Sequence, residues 1–259
     1  MKVFLFTFAF ILTGAISLSG QNISYSEIKH SFGYSLSISQ IKEENLIPKV
    51  NSGISHFLSY GFEKVNHVYH RFDFNLGYGK VKTDIEEEAL SFNAQLLLSY
   101  CHDFEIFKND WMVYYLGPTS SFTSSLSEYE NWDEAHAYWG NYFSFGPSNT
   151  LLFSFQENKL LAMRLDLSIV GFYTRPDYNR LYANENWTFS NIIKIMNSNY
   201  HFGLWNNAFQ LKSSFEYRTP LFTNDNLSLS YSIYYSRIQA EDGKPLTELF
   251  HKFAVGIWL

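Results

Sequence analysis

Six charged side chains occupy alternate positions in stretches that otherwise resemble β-strands. They are Arg71, Asp73, Arg164, Asp166, Lys212 and Glu216. The positions between them carry mostly apolar residues, so the charges fall on one face of an extended chain. Opposite charges can pair, which lowers the cost of burying each one away from water. We therefore expect these residues to meet inside the protein. They would form either a structural plug or a charged constriction that selects small solutes.

Two Gly-Pro pairs, Gly117-Pro118 and Gly146-Pro147, lie within two other strand-like stretches. Proline cannot donate to a β-ladder and is rare inside sheets away from edges and bulges. If the hairpin between the two pairs turns near residue 131, they lie at about the same height on adjacent strands. The sheet should be weakened there. This predicts either a two-bulge kink or a lateral opening for a lipid or acyl chain. The opening would be analogous to that of the lipid A palmitoyltransferase, whose catalytic motifs are absent here.

The stretch from Leu227 to Tyr235 shows most clearly which kind of strand carries these residues. Leucine, isoleucine and tyrosine on one face alternate with three serines and Tyr234 on the other. Small uncharged side chains suit the interior of a closed barrel whose apolar face meets lipid. The pattern predicts an all-β, antiparallel up-and-down transmembrane barrel of about ten strands, with eight to twelve also compatible. The predicted strands lie near residues 30–40, 53–63, 67–81, 89–103, 111–125, 138–156, 160–174, 200–217, 227–235 and a last segment ending at Leu259.

The predicted connections alternate in length, and the longer ones are more polar. Short periplasmic turns, long external loops and periplasmic termini are the rule for such barrels. Residues 22–29 are interpreted as a periplasmic lead, and the longest break, 175–199, as holding a short helix around 191–196. The chain thus resembles small outer-membrane barrels of Gram-negative bacteria. Its last strand resembles the signal that such proteins present to their insertion machinery, although Phe rather than Leu259 is usual at the end. The alternative is a secreted β-sandwich.

Composition limits the range of functions. The 259 residues suit one domain, and 19% aromatic residues with a mean hydropathy of −0.18 suit dispersed apolar faces. A net charge of −6 argues against nucleic-acid binding, which needs a basic face. Residues 1–20 resemble a secretory signal peptide, leaving 21–259 as the barrel. The single cysteine, Cys101, is interpreted as a buried structural thiol.

Two short motifs resemble parts of the active sites of outer-membrane enzymes. Residues 178–182 resemble the Asn-Arg-Leu-Tyr segment of outer-membrane phospholipase A. The positions corresponding to that family's His-x-Ser pair are Leu165 and Leu167, which cannot act as base or nucleophile. His102-Asp103 resembles the His-Asp pair of the omptin proteases but falls at a predicted periplasmic turn, so we reject it. The histidines show no convincing zinc-ligand spacing.

The sequence thus favours a monomeric, non-enzymatic outer-membrane barrel with a structural, partner-binding or narrow-pore role. A lipid-active enzyme, reached laterally at the Gly-Pro pairs, is the alternative. Ten strands allow at most a narrow pore, because the interior of an eight-strand barrel is just filled by side chains. Expected partners are outer-membrane lipid, lipopolysaccharide and the insertion machinery. The acidic external loops could also attract divalent cations or a basic protein partner. No cofactor is expected.

Overall fold

The computed structural model describes residues 25–44, 50–82, 90–129, 136–155, 159–175, 188, 190, 194, 200–222, 225–239 and 243–259. The proposed signal peptide and the phospholipase-like segment 178–182 lie outside these residues. So does nearly all of the acidic loop sequence. No helix in the described ranges is long and apolar enough to cross a membrane.

The described residues form twelve strand segments. They are β1 (Tyr25–Glu43), β2 (Asn51–Val65), β3 (Val68–Lys82), β4 (Leu90–Lys108), β5 (Met112–Tyr129), β6 (His136–Phe155), β7 (Lys159–Ser168), β8 (Val170–Thr174), β9 (His201–Leu204), β10 (Ala208–Pro220), β11 (Asn226–Ile238) and β12 (Leu246–Trp258). The segments β7 and β8 are halves of one strand, and β9 and β10 are halves of the next. The chain therefore builds a ten-strand barrel.

All neighbouring strands are antiparallel, and the sheet closes on itself. β1 pairs with β12 from Ser31–Trp258 to Glu43–Leu246. On the other side, β5 pairs with β6, and β6 pairs with both halves of the following strand. Among the described segments, closure pairs both edges of every strand except β9, for which the pairing with β8 alone is described. The predicted up-and-down barrel is thereby confirmed, with the shorter connections at one end and the longer ones at the other.

The two faces of the wall differ as the alternation predicts. Inward-facing Ser35, Ser37 and Ser39 are buried, whereas outward-facing Leu58 and Leu229 are 63% and 50% exposed. A polar interior and a continuous apolar exterior are typical of barrels that sit in lipid. A soluble β-sandwich has the opposite polarity, because its apolar faces pack against each other. The sandwich alternative is therefore wrong.

Histidine–tyrosine pairs bridge neighbouring strands on the apolar outer face. His70 Nδ1 lies 2.8 Å from Tyr100 Oη, and His251 Nδ1 lies 2.8 Å from Tyr231 Oη. The pairs His30–Tyr60 and His56–Tyr34 repeat the arrangement. Polar groups facing hydrocarbon are costly unless they find partners within the protein. Each pair satisfies one ring nitrogen and one hydroxyl group without water.

Two predicted boundaries need correction. The first strand begins at Tyr25, which pairs with Val65, so most of the expected periplasmic lead belongs to the barrel. The predicted strand 200–217 is broken at 205–207, because the side chain of Asn207 accepts a hydrogen bond from the backbone N–H of Leu204. This local turn leaves Trp205 71% exposed. Within the segment expected to contain a helix, Lys194 is helical, and the other residues of 191–196 lie outside the described ones.

Apolar layers occupy the lumen towards both ends. Near the short turns, buried Cys101 packs with Val65, Val113 and Leu152. Near the long connections, Ile41, Val81, Leu246 and Phe250 form one cluster and Tyr142, Tyr173, Ala208 and Ile238 form another. Cys101 is a free, buried thiol, as predicted. The charged residues therefore lie in a barrel whose interior is packed above and below them.

Candidate functional site

The six predicted lumen charges all face inward, and five of them belong to one connected cluster. Arg71 Nε donates to Asp73 Oδ1 at 2.8 Å, and Lys212 Nζ donates to Asp73 Oδ2 at 3.0 Å. Arg71 Nη1 and Arg164 Nη1 each lie 3.2 Å from Glu216 Oε2. These contacts join β3, β7 and β10 across the lumen. The predicted meeting of charges is thus present for Arg71, Asp73, Arg164, Lys212 and Glu216.

Glu63 and Arg218, which the sequence reasoning missed, form the centre of this cluster. The Arg218 guanidinium binds both carboxylate oxygens of Glu63, with Nη2 2.9 Å from Oε2, and also donates through Nε to Glu216 Oε1 at 3.1 Å. The Glu63 side chain is fully buried, and that of Arg218 is 5% exposed. Glu63 is the last residue of the predicted strand 53–63, and Arg218 lies one residue beyond the predicted strand 200–217. Extending the inward alternation along β2 and β10 would have found both.

Aromatic side chains cover the ion pairs. Trp258 donates its indole N–H to Glu216 Oε1 at 2.6 Å, and the Arg218 guanidinium carbon lies 3.8 Å from the Trp258 ring centroid. Tyr69 donates to Glu63 Oε2 at 3.1 Å and accepts from Arg164 Nε at 3.0 Å. Buried ion pairs are stable only when such additional hydrogen bonds satisfy their remaining donors and acceptors. The cluster is therefore arranged as a plug.

Alternation places each member of the plug on the lumen face. Glu63 on β2 is the register partner of Arg71 on β3, and Glu216 and Arg218 are two residues apart on β10. Trp258 lies on β12, at the β1–β12 closure. Charged side chains from four strands, β2, β3, β7 and β10, therefore converge at one level with the Trp258 indole from β12. This level lies near the short turns.

Asp166, the sixth predicted residue, is positioned differently. It is the register partner of Lys212, but the Lys212 amine binds Asp73 and Ser99. Asp166 instead accepts from the Ser148 hydroxyl at 2.8 Å. The same hydroxyl lies 3.0 Å from Asp103 Oδ2. Asp166 therefore belongs to a neighbouring polar group around Ser148.

Two cavities lie beside the plug. One, of about 90 Å³, is bordered by Arg71, Arg164, Lys212 and Lys252. The other, of about 50 Å³, lies between Asp166, Gln210 and Tyr234. A cavity needs at least ~10–15 Å³ to hold a water molecule. Both can hold water, and neither is as large as the ~300–1,000 Å³ of a typical ligand pocket.

The two Gly-Pro pairs lie side by side, as expected from the hairpin. Pro118 is the register partner of Pro147, and Gly117 and Gly146 flank them on opposite sides. Both glycines permit close backbone approach, since a Cβ on Gly117 would lie 2.2 Å from the His102 carbonyl oxygen. A Cβ on Gly146 would lie 1.8 Å from that of Leu167.

The ladders on both sides of this double Gly-Pro site are interrupted. Between β4 and β5, pairing stops at Cys101–Thr119 and resumes at Phe104–Leu116. Next to β6, the register shifts between Ser148–Asp166 and Phe145–Val170, where Ile169 separates β7 from β8. The shift adds one residue opposite Gly146-Pro147, which is the geometry of a β-bulge. The ladder is therefore interrupted on both sides of the double Gly-Pro site, at the height of the two prolines.

An apolar groove lies on the outer wall next to the double Gly-Pro site, on the side nearer the short turns. Its volume is about 610 Å³, and its lining includes Met112, Leu151, Met163 and Leu165. Tyr114 donates to Asn149 at 2.8 Å within the same lining. The groove faces the surroundings of the barrel and not its lumen.

The remaining sequence candidates contribute little to a site. His102 points outward, with its ring 4.6 Å from that of His70, whereas Asp103 is buried inside. Adjacent residues on opposite faces of a strand cannot form a dyad, which supports the rejection of an omptin-like pair. Among the described residues, no group of three or more His, Cys, Asp or Glu side chains could hold a metal ion.

Comparison with known proteins identifies the fold but no family. No family model matches the chain, and no curated protein matches it. Among solved structures, the outer membrane protease OmpT from Escherichia coli aligns with a TM-score of 0.54 and 6% identity, over 93% of this chain and 99% of that one. The translocator domain of the autotransporter NalP from Neisseria meningitidis aligns with a TM-score of 0.46 and 8% identity, over 96% and 92%. Neisserial surface protein A aligns with a TM-score of 0.36 and 11% identity, over 89% of this chain and 96% of that one. The OmpT likeness shows that the fold is that of an outer-membrane β-barrel.

Proposed function

We propose that this protein is a monomeric, non-conducting outer-membrane barrel with a structural or partner-binding role. The observation that carries the proposal is the plug. Glu63, Arg164, Arg218, Glu216 and Trp258 are each 8% exposed or less and are joined by hydrogen bonds across the lumen. Apolar layers lie towards both ends. A solute would have to separate several buried ion pairs to pass, which is costly because it leaves uncompensated charges.

The exterior supports the membrane location. Its apolar side chains are exposed along every strand whose side chains are described, and a soluble protein would not present so large a continuous apolar surface to water. Lipid and lipopolysaccharide would cover this surface, and the last strand would be recognised by the insertion machinery. A basic protein could bind the acidic external loops, most of whose residues lie outside the described ones.

Reconstitution of the refolded protein in planar bilayers tests the closed state. We expect no discrete conductance steps from the unaltered protein. The double variant Arg164→Ser/Glu216→Ser removes one cation and one anion from the plug without changing its net charge, and we expect small conductance steps from it. The control is the variant Lys80→Ser, because Lys80 is exposed on the outer face of β3. It should behave like the unaltered protein. Discrete steps from the unaltered protein would support the narrow-pore role instead.

A second candidate function is lateral contact with a lipid chain at the double Gly-Pro site, as part of a lipid-active enzyme. Three observations favour it: the paired prolines, the interrupted ladders on both sides, and the apolar groove beside them. Proline removes a hydrogen-bond donor from each of two adjacent strands. An acyl chain from the bilayer fits the apolar lining of the groove.

Hydrogen exchange of the protein in lipid vesicles tests this candidate. We expect faster exchange in 100–104 and 166–172 than in 54–60, which lies on the opposite, uninterrupted wall. Equally slow exchange across both Gly-Pro sites and across 54–60 would refute lateral opening. Turnover of labelled phospholipid or lipopolysaccharide by the same vesicles would favour the enzyme. If no turnover is found, the second candidate function is reduced to lipid contact without catalysis.

A further inference from the structure

The 90 Å³ chamber beside the plug has an excess of positive charge in its wall. Four cationic side chains border it, but only two carboxylates do so: Arg71, Arg164, Lys212 and Lys252 against Asp73 and Glu216. Both carboxylates are already shared. Asp73 binds two of the cations, and Glu216 binds the other two arginines of the plug as well as the Trp258 indole. Glu63, outside this lining, also contacts Arg71 at 3.4 Å and Arg164 at 3.7 Å, so both arginines are paired with carboxylates, as Lys212 is with Asp73. The excess positive charge therefore lies on Lys252.

Among the described residues that border the chamber, Lys252 is the cation without a carboxylate partner. Its Nζ donates to the neutral side-chain oxygen of Asn75 at 2.6 Å and lies 5.0 Å from the ring centroid of Phe57. Within the described part of the chain, no carboxylate oxygen lies within 4.0 Å of Lys252 Nζ, so the lysine forms no salt bridge. An ammonium group has three donors, and here a single acceptor is in place. Burying such a group is costly unless an anion accompanies it.

Serine hydroxyl groups complete a set of donors around the same space. Ser228, Ser230 and Ser232 lie at successive inward positions of β11 and border the chamber. None has a hydrogen-bond partner among the described residues. Hydroxyl groups can rotate to donate to whatever acceptor is present. A row of them facing two lysines is suited to an anion and not to a metal cation, which would be repelled by the lysines.

The chamber owes its space to small residues at the closing seam. Gly33 on β1 is the register partner of Gly256 on β12, and both border the chamber. A Cβ on Gly256 would lie 2.9 Å from Ser228 Oγ. Larger side chains there would fill the space that an ion needs. The volume of about 90 Å³ allows a small ion with a few waters, since liquid water occupies ~30 Å³ per molecule.

We propose that the lumen contains a binding site for a small inorganic anion of about chloride's size, held between Lys252, Lys212 and the β11 serines. The anion is taken up from solution and neutralises the excess positive charge of the chamber. This site goes beyond the proposed closed-barrel function and does not depend on it. A barrel that conducts could still hold the anion, and a closed barrel could lack it.

Bromide, which replaces chloride and scatters anomalously, is the direct probe. Crystals of the detergent-purified protein grown in sodium bromide should show an anomalous peak in the chamber within hydrogen-bonding distance of Lys252 Nζ. The variant Lys252→Met should lose this peak and lower the halide affinity by about tenfold to a hundredfold, the range of one charge-assisted hydrogen bond. The control Lys80→Met changes an exposed lysine and should retain the peak.

A solution measurement separates binding from ionic screening. Thermal unfolding is followed in sodium chloride and in sodium gluconate at equal ionic strength, because gluconate is too large for the chamber. We expect the melting temperature to rise with chloride alone, and the rise to disappear in Lys252→Met. If the two salts act equally on the unaltered protein and bromide gives no peak, the site does not exist. Because both measurements use the unaltered protein, misfolding of Lys252→Met would not obscure that outcome.

Discussion

Trp258 donates its indole N–H to Glu216 Oε1 at 2.6 Å, although the two residues are 42 positions apart in the sequence. This bond attaches the penultimate residue of the chain to the centre of the plug. The strand that closes the barrel and the plug that fills it are therefore coupled. A change at either one should affect both closure and the order of the lumen.

Removing this bond while keeping an aromatic ring should weaken the barrel. We expect Trp258→Phe to lower the free energy of unfolding by about 1.5–3 kcal/mol, the range for a hydrogen bond to a charged group. Urea unfolding in lipid vesicles measures the change. The matched control is Trp205→Phe, because Trp205 is 71% exposed and should cost less than about 0.5 kcal/mol. Similar losses in the two variants would contradict a specific role for the bond.

Substitution of Glu63 should destabilise the protein more than substitution of any exposed acidic residue. Glu63→Gln leaves Arg218, Arg71 and Arg164 with one fewer carboxylate in a buried setting, so we expect a loss of about 3–5 kcal/mol. The combination Glu63→Gln/Arg218→Met should cost clearly less than the sum of the two single changes, because it removes both members of the pair. A double-mutant cycle from urea titrations measures this. Additive losses would mean that the two side chains do not interact.

The β-bulge beside Gly146 should depend on the missing side chain. Gly146→Ala places a methyl group against the backbone of Leu167, which cannot move aside as a flexible side chain could, so we expect a loss of about 1–3 kcal/mol. Gly140→Ala is the control, since its nearest neighbour is the end of the Leu246 side chain. The fraction that folds into detergent micelles, read from the heat-dependent mobility shift on gels, compares the two. Equal folding of both variants would argue against the close contact at Gly146.

A charge on the outer face distinguishes a membrane barrel from a water-soluble one. Leu58 lies in the middle of β2 and is 63% exposed. In a bilayer, Leu58→Arg should cost about 2–4 kcal/mol, as expected for arginine near the midplane. Leu58→Ala is the control for loss of the side chain alone, and unfolding in vesicles measures both. If arginine costs no more than alanine, this wall does not face hydrocarbon.

The sequence by itself predicted an antiparallel barrel of about ten strands, with eight to twelve compatible, and the inward direction of all six charges. It could do so because a two-residue period and the contrast between serine and leucine faces are local properties of the chain. It also placed Pro118 beside Pro147, since a hairpin fixes the register of its two strands. Strand ends were less accurate, because tertiary pairing extends β1 back to Tyr25 and a single Asn207 turn divides another strand.

Only the tertiary structure decided which charges meet. Glu63 and Arg218 are 155 positions apart, and nothing local indicates that they form the central pair. The same holds for Lys252, whose lack of a carboxylate partner depends on where the other strands place their acidic side chains. Which side chains face in or out of the barrel wall follows from the alternation of neighbouring residues along the chain. The contents of its lumen depend on closure, because closure brings side chains from distant strands to one level.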